Sequence, residues 1–176
     1  AECSVAGGRI DVVHPGVTLP GDGPDSANGF RRAYGLGDRP ILLSVGRLTA
    51  RKGLREFVRE SLPEVRRQYP EALLLVIGDE APDALSGANS GGRAALEALA
   101  RQLGLAEHVR LLGPCTDDVL SQAYFAADVH VFPVRDLPGD VEGFGMVAIE
   151  AAAHGLPTVA FAVGGVPDAV SPGESG

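Results

Sequence analysis

The sequence has no tryptophan, one methionine and two cysteines in 176 residues, and aromatic residues make up 5% of it. Cys3 and Cys115 are too few for a disulfide framework or a four-ligand zinc site, which makes a reducing compartment the simpler setting. The longest apolar runs, such as Ala72 to Gly78 and Val147 to Ala153, fall far below the roughly 18 residues needed to span a bilayer. A basic N-terminal segment leading into an apolar stretch is missing as well. The chain therefore reads as soluble and cytoplasmic, with any membrane association of a full-length protein carried outside this sequence. Lysine is almost absent: of the 15 basic residues only Lys52 is lysine, the rest being arginine. Set against 23 acids they leave a net charge of −8, which excludes a nonspecific electrostatic grip on nucleic acid or anionic lipid. Any anion site must be local.

What is present is an ordinary globular mix, 45% apolar and 22% charged, in a length suited to one domain. The 24 glycines and 13 prolines are in excess, about a fifth of the chain where roughly 12% is usual. They show no collagen-like period, so they belong to frequent turns and close backbone approaches.

Apolar runs alternate with segments of helical period, as in a parallel sheet covered by helices. Strands are expected at Ile41 to Val45, Leu73 to Ile77, Val109 to Leu112, Val129 to Val134 and Thr158 to Phe161. Between them lie four helical stretches. The first is Gly53 to Tyr69, an amphipathic helix that Pro63 kinks or divides. Arg93 to Leu103 ends at Gly104, Asp117 to Ala126 has Asp117 as its expected N-cap, and Gly145 to His154 is stopped by Gly155 and Pro157. Ala81 to Gly92 reads as a loop. The predicted fold is α/β, a doubly wound Rossmann-like parallel sheet whose ligands bind beyond the carboxyl ends of the strands. Residues 1–39 hold one β-like run, Ile10 to Val13, then a stretch that reads as a linker; residues 40–176 form the domain. Both ends look cut.

Two clusters carry chemistry. From Arg47 to Arg59 five basic residues, Arg47, Arg51, Lys52, Arg55 and Arg59, face the single acid Glu56. Basic side chains ahead of a helix N-terminus make a phosphate or diphosphate receptor, although a solvated basic helix face has the same composition. In Glu142-Gly143-Phe144-Gly145-Met146-Val147-Ala148-Ile149-Glu150, the glycines permit a sharp turn that aims bare helix-end amides at a ligand. Glu142 lies in that loop and Glu150 about 7.5 Å along the helix axis, a separation that favours distinct roles over a paired-carboxylate mechanism. A capping acid and a solvent-facing helix glutamate would read alike.

Glu142 and Glu150 also form an E-x7-E pattern, with Gly46-Arg47-Leu48 and Lys52-Gly53 about ninety residues upstream. Val109 to Gly113, Tyr124 to Asp128, Glu150-Ala151, Gly155 to Val159 and Gly164 to Asp168 follow in a fixed order. Together, over residues 10–172, they resemble the donor-binding half of retaining GT-B glycosyltransferases of family 4, the glycosyl transferases group 1. The resemblance implies that Arg47 and Lys52 bind the nucleotide diphosphate and stabilise it as leaving group. It implies that Glu142 contacts donor-sugar hydroxyls, that Gly46, Gly143, Phe144, Gly145 and Met146 lie along sugar and phosphate, and that Glu150 accepts from ribose. Leu112, Gly113 and Cys115 fall where the family's loop meets the base. It further implies a GDP-sugar or UDP-sugar donor, a glycan, lipid or small-molecule acceptor, and an N-terminal acceptor-binding domain absent from this sequence. The family's last strand and C-terminal helices are absent too, so the fragment is expected to bind donor weakly and to be inactive alone. The loop Asp136 to Gly145 is similar to an extended form found in some mannosyltransferases acting on lipids, which tilts the donor toward GDP-mannose.

No D-x-D triplet is present, and His14, His108, His130 and His154 are too scattered for a ligand cluster, so no metal or other cofactor is expected. Each histidine reads as a surface or element-end residue. Two rival readings remain. Gly143-x-Gly145-x-x-Ala148 matches a dinucleotide fingerprint, but five residues intervene after the preceding strand and no acid ends the next one. A non-catalytic nucleotide-sugar-binding module is the other.

Overall fold

The computed structural model describes residues 11–21, 23, 25–80 and 92–176. Cys3, Ile10 and most of the loop expected at 81–92 lie outside them. Five parallel strands, β1 (Ile41–Val45), β2 (Leu73–Ile77), β3 (Val109–Gly113), β4 (Val129–Phe132) and β5 (Thr158–Ala160), form one sheet in the order β3-β2-β1-β4-β5. β1 and β2 pair in register from Ile41 with Leu73 to Val45 with Ile77 and are buried throughout, as their unbroken apolar runs require. Residues alternate between the faces. Ile41, Leu43, Val45, Leu73, Leu75 and Ile77 enter one core, and Leu42, Leu74 and Val76 enter the other. Burying each such side chain is worth about 1.5–3 kcal/mol.

The second core is covered by α4 (Arg93–Gln102) and by a helical segment made of α2 (Leu54–Glu56), a π turn (Phe57–Ser61) and α3 (Leu62–Gln68). Pro63 does divide this segment. It has no N–H for the carbonyl of Arg59, and one residue earlier the Leu62 N–H reaches back five residues to Phe57 C=O. The first core is covered by α5 (Asp117–Ala126), α6 (Met146–Ala153) and a helix the sequence reading did not anticipate, α1 (Asp25–Ala33). α1 lies inside the stretch expected to be a linker and seats Phe30, 1% exposed, against α5. Arg31 fastens it, donating to the carbonyls of Ala126 (3.0 Å), Gly37 and Arg39 (2.9 Å each). Residues 11–13 form no strand, and Val12 and Val13 are exposed.

A short helix, α7 (Val166–Ala169), packs with α6 around Phe132 and Val134. The N-cap of α5 is Thr116, not Asp117: the Thr116 hydroxyl accepts from the Val119 N–H, which leaves Asp117 in the first turn where the helix dipole favours it. His130 also departs from expectation. It is fully buried on β4, because as the second residue of the strand it faces the core rather than an end.

Candidate functional site

β1 and β4 are neighbours, yet the chain proceeds outward from them in opposite directions, to β2 and β3 on one side and β5 on the other. A doubly wound sheet opens a crevice at this switch point, beyond the strands' carboxyl ends. Two loops border it, one after β1 and one between β4 and α6.

The first loop turns at Gly46 and runs through a 3-10 turn, Ala50–Lys52, to Gly53. At Gly53 φ is +67°, and a Cβ would stand 1.9 Å from the Pro133 carbonyl oxygen, so only glycine lets the loops meet. The Arg135 N–H donates to Arg51 C=O at 2.8 Å across the same seam. The second loop is braced from behind. Gly165 N–H donates to Glu142 C=O at 2.8 Å, and a Cβ on Gly165 would fall 2.1 Å from the Gly143 oxygen. Gly53 and the Gly164-Gly165 pair thus serve loop-to-loop contact, while Gly143 has open space around it.

These contacts bring Lys52 and Glu142 together from positions ninety residues apart: Lys52 Nζ donates to Glu142 Oε2 at 2.8 Å. The same oxygen accepts from Arg51, whose Nε donates to Asp140 Oδ1 at 2.8 Å. Side-chain exposure is 11% for Arg51, 12% for Glu142 and 14% for Lys52, so these three neutralise one another nearly out of water, with Asp140, 30% exposed, at the solvent side. Lys52 also lies 4.8 Å above the Phe132 ring. Burial pulls its pKa below the usual lysine value, opposed by the hydrogen bond and charge of Glu142 and reinforced by Arg51 and Arg47. A Cβ on Gly46 would make ordinary contact with Lys52 Cε at 3.5 Å, so what calls for glycine there is its φ of +136°. Arg47 is exposed and has no carboxylate partner among the described residues.

α6 begins beside this network, with Gly145 as its N-cap at φ +104° and bare first-turn amides facing the loop. Phe144 is half-buried and stacks on His14, ring centroids 5.3 Å apart, so residues from the N-terminal stretch reach the site. Farther along α6, Glu150 accepts from the Tyr124 hydroxyl at 2.9 Å. A groove of about 380 Å³ opens there, lined in part by Val17, Thr18, Tyr124, Met146, Glu150 and His154. Burial, then the charge of Glu150, pushes the Tyr124 phenol far above its ordinary pKa, keeping it a proton donor. Leu112, Gly113 and Cys115 lie at the end of β3, two strands or about 10 Å from β1. Leu112 and Cys115 pack on the core, and burial raises the Cys115 thiol, helped by Asp117. Among the described residues no group of three or more His, Cys, Asp or Glu is placed to hold a metal ion, and no helix is long and apolar enough to cross a membrane.

Arg51 and Asp140 were not singled out from sequence. Arg51 sat in the basic cluster next to Lys52, but nothing in that spacing says which of two adjacent cations turns inward. Tyr124 opens the Tyr124 to Asp128 motif, whose sequence assigns it no role.

Comparison with known proteins places the chain in a family. The family described as glycosyl transferases group 1 matches residues 28–176. The chain is 38% identical over 157 residues to a GDP-mannose-dependent alpha-(1-6)-phosphatidylinositol monomannoside mannosyltransferase of Mycolicibacterium smegmatis, covering 87% of this chain and 38% of the relative. It is 40% identical over 171 residues to a D-inositol 3-phosphate glycosyltransferase of Mycobacteroides abscessus, covering 96% and 35%. The chain thus spans little more than a third of these relatives. Among solved structures, Anabaena HepE in complex with UDP and glucose superposes with a TM-score of 0.68 at 25% identity, over 86% of this chain and 37% of that one. WaaG, a glycosyltransferase of lipopolysaccharide biosynthesis, superposes with a TM-score of 0.69 at 29% identity, over 91% and 40%.

Proposed function

The chain belongs to the glycosyl transferases group 1 family, and from that premise we propose that it is the nucleotide-sugar-binding part of a retaining hexosyltransferase whose donor is GDP-mannose. The observation that carries the reading is the meeting of Lys52 and Glu142 at the switch-point crevice, beside the α6 N-terminus. Arg47 and Lys52 bind the diphosphate. As the glycosidic bond to it breaks, the diphosphate gains charge, so cations and helix-end amides fixed in advance bind the transition state more tightly than the ground state. No metal is needed for that work. Glu142 and the Gly143–Met146 backbone hold the sugar, Glu150 takes the ribose hydroxyls from the groove it borders, and the β3 end with Leu112, Gly113 and Cys115 meets the base. Attack from the face the diphosphate leaves retains configuration; Glu142 is the nearby carboxylate for the alternative double displacement.

The mannosyltransferase relative and the long loop Asp136–Gly145 support the guanosine donor and a lipid-linked acceptor. The donor-binding unit comprises residues 40–176 together with α1, which packs into its core, and is joined on its N-terminal side to an acceptor-binding domain outside this sequence, in a cytoplasmic enzyme that meets its acceptor at the membrane. A nicotinamide dinucleotide fits less well. The glycines follow β4 only after a long loop, and no acid ends β5.

Calorimetric titration with GDP, UDP and ADP and their sugars tests the reading. Binding should require the diphosphate, favour GDP, survive EDTA and fall at least tenfold in Lys52→Ala, about the worth of one charge-assisted contact, and less in Arg47→Ala. Equal binding of NAD, or undiminished binding in both variants, would overturn it.

A further inference from the structure

Arg51 is left without a task by the donor reading, although it is among the few buried charged residues, at 9% exposure. Its guanidinium is engaged from inside the protein: Nε donates to Asp140 and a terminal nitrogen to Glu142. Its carbonyl accepts from Arg135 at the mouth of the second loop. Glu142 Oε2 is therefore shared between two cations, Arg51 and Lys52. A diphosphate entering the crevice recruits Lys52 and takes away one of those two donors. A carboxylate left alone at 12% exposure would be driven out toward water. Arg51 prevents that, because its fork grips both Glu142 and Asp140 and stays on them when Lys52 turns away.

We propose that Arg51 is the positioning residue that keeps the Glu142 carboxylate at the sugar end of the crevice once Lys52 turns to the diphosphate. The proposal rests on the nucleotide-sugar reading and adds to it a division of labour between adjacent cations: Lys52 exchanges partners and Arg51 does not. It also separates Arg51 from a simple charge. A lysine ammonium has no rigid fork with which to span two carboxylates, so Arg51→Lys should fail where a mere need for positive charge would be met.

The test is the ratio of affinities for GDP-mannose and GDP, measured by calorimetry on this chain, with UDP-glucose and UDP as a second pair. The ratio isolates what the sugar contributes. Glu142→Gln should lower it about tenfold, and Arg51→Gln and Arg51→Lys should each lower it by a similar factor. In the Glu142→Gln background either Arg51 substitution should change the ratio by less than about twofold, since both act through one contact. Thermal melting identifies a variant that has lost its fold; Arg51→Lys keeps the local charge and carries the test should Arg51→Gln not fold. Equal losses for GDP and GDP-mannose would make Arg51 a phosphate ligand or a loop staple, and would overturn the proposal. Additive effects with Glu142→Gln, or a wild-type ratio of one for both pairs, would do the same. Failure of the unmodified chain to bind any nucleoside diphosphate is a different result, which sinks the donor reading and this inference with it.

Discussion

Glu142 and Glu150 belong to one sequence motif and sit in opposite electrostatic settings. Glu142 is a loop residue whose carboxylate meets Arg51 and Lys52 almost out of solvent, and whose backbone is held by Gly165. Glu150 is a helix residue whose carboxylate meets, among the described residues, one uncharged donor, the Tyr124 hydroxyl, at the edge of an open groove. The difference sets what each can do for a ligand. A carboxylate neutralised by cations takes part in exchange: something must replace it on Lys52 before the crevice accepts an anion. A carboxylate held by a neutral hydroxyl has no cation to surrender and keeps its second oxygen for incoming hydroxyl groups. Their spacing already favours distinct roles, and their partners show how the roles differ.

The largest effect should come from breaking the charged setting. Arg51→Ala removes the ion-pair partner of Asp140 and one of the two cations on Glu142, and removing one partner of a buried ion pair typically costs about 3–5 kcal/mol. Urea denaturation should place the loss in that range and show it shrinking when Glu142→Gln is already present. A loss under about 1 kcal/mol would mean that the network is screened like a surface pair, and the contrast with Glu150 would collapse.

How far the sequence foretells this depends on the range of the interaction. All five strands were legible to within about two residues, because continuous apolar runs between glycines leave few other readings. Lys52, Glu142 and Glu150 stood out through local composition and motif order. Helix α1 did not, since DSANGFRRA is mostly polar and buries little besides Phe30; its place comes from Arg31 reaching carbonyls as far away as Ala126. Arg51 and Asp140 were hidden for the same reason. Their partnership depends on the angle at which two loops meet, and that angle is set by Gly53 against Pro133, a contact with no local trace.

A middle-sized effect should appear in acid, through a residue that links the two settings. His130 stacks on Phe132, which carries Lys52 on its ring, and meets Tyr124, which holds Glu150. Its Nδ1 is 3.0 Å from the Thr158 hydroxyl, while Nε2 is buried with no partner among the described residues. Burial, and secondarily the Lys52 charge, lowers its pKa to about 3 from 6.5. The unfolded chain thus binds the proton more readily. The stability that follows from keeping the ring neutral is fully present above pH 6.5 and is lost as pH falls from there toward 3. The slope approaches about 1.4 kcal/mol per pH unit. Denaturation midpoints between pH 7.5 and 4.5 should show it, and His130→Gln should flatten the profile whatever its effect on absolute stability. A His130→Gln profile parallel to the unmodified one would assign the acid sensitivity to other groups.

The smallest effect belongs to the neutral setting. Tyr124→Phe deletes one hydroxyl from a side chain that is 2% exposed and leaves its ring packing intact, including the stack on His154 at 4.9 Å. Glu150 keeps access to water from the groove, so its carboxylate is not stranded, and the loss should be about 1 kcal/mol, the net worth of one hydrogen bond. Because the buried phenol stays protonated well past its ordinary range, this contribution should be constant from pH 6 to 9. Combining Tyr124→Phe with Glu150→Gln should cost less than the sum of the two single changes. Losses for Tyr124→Phe as large as those for Arg51→Ala would mean that Glu150 is as enclosed as Glu142. The groove would then have no free carboxylate to offer a ribose.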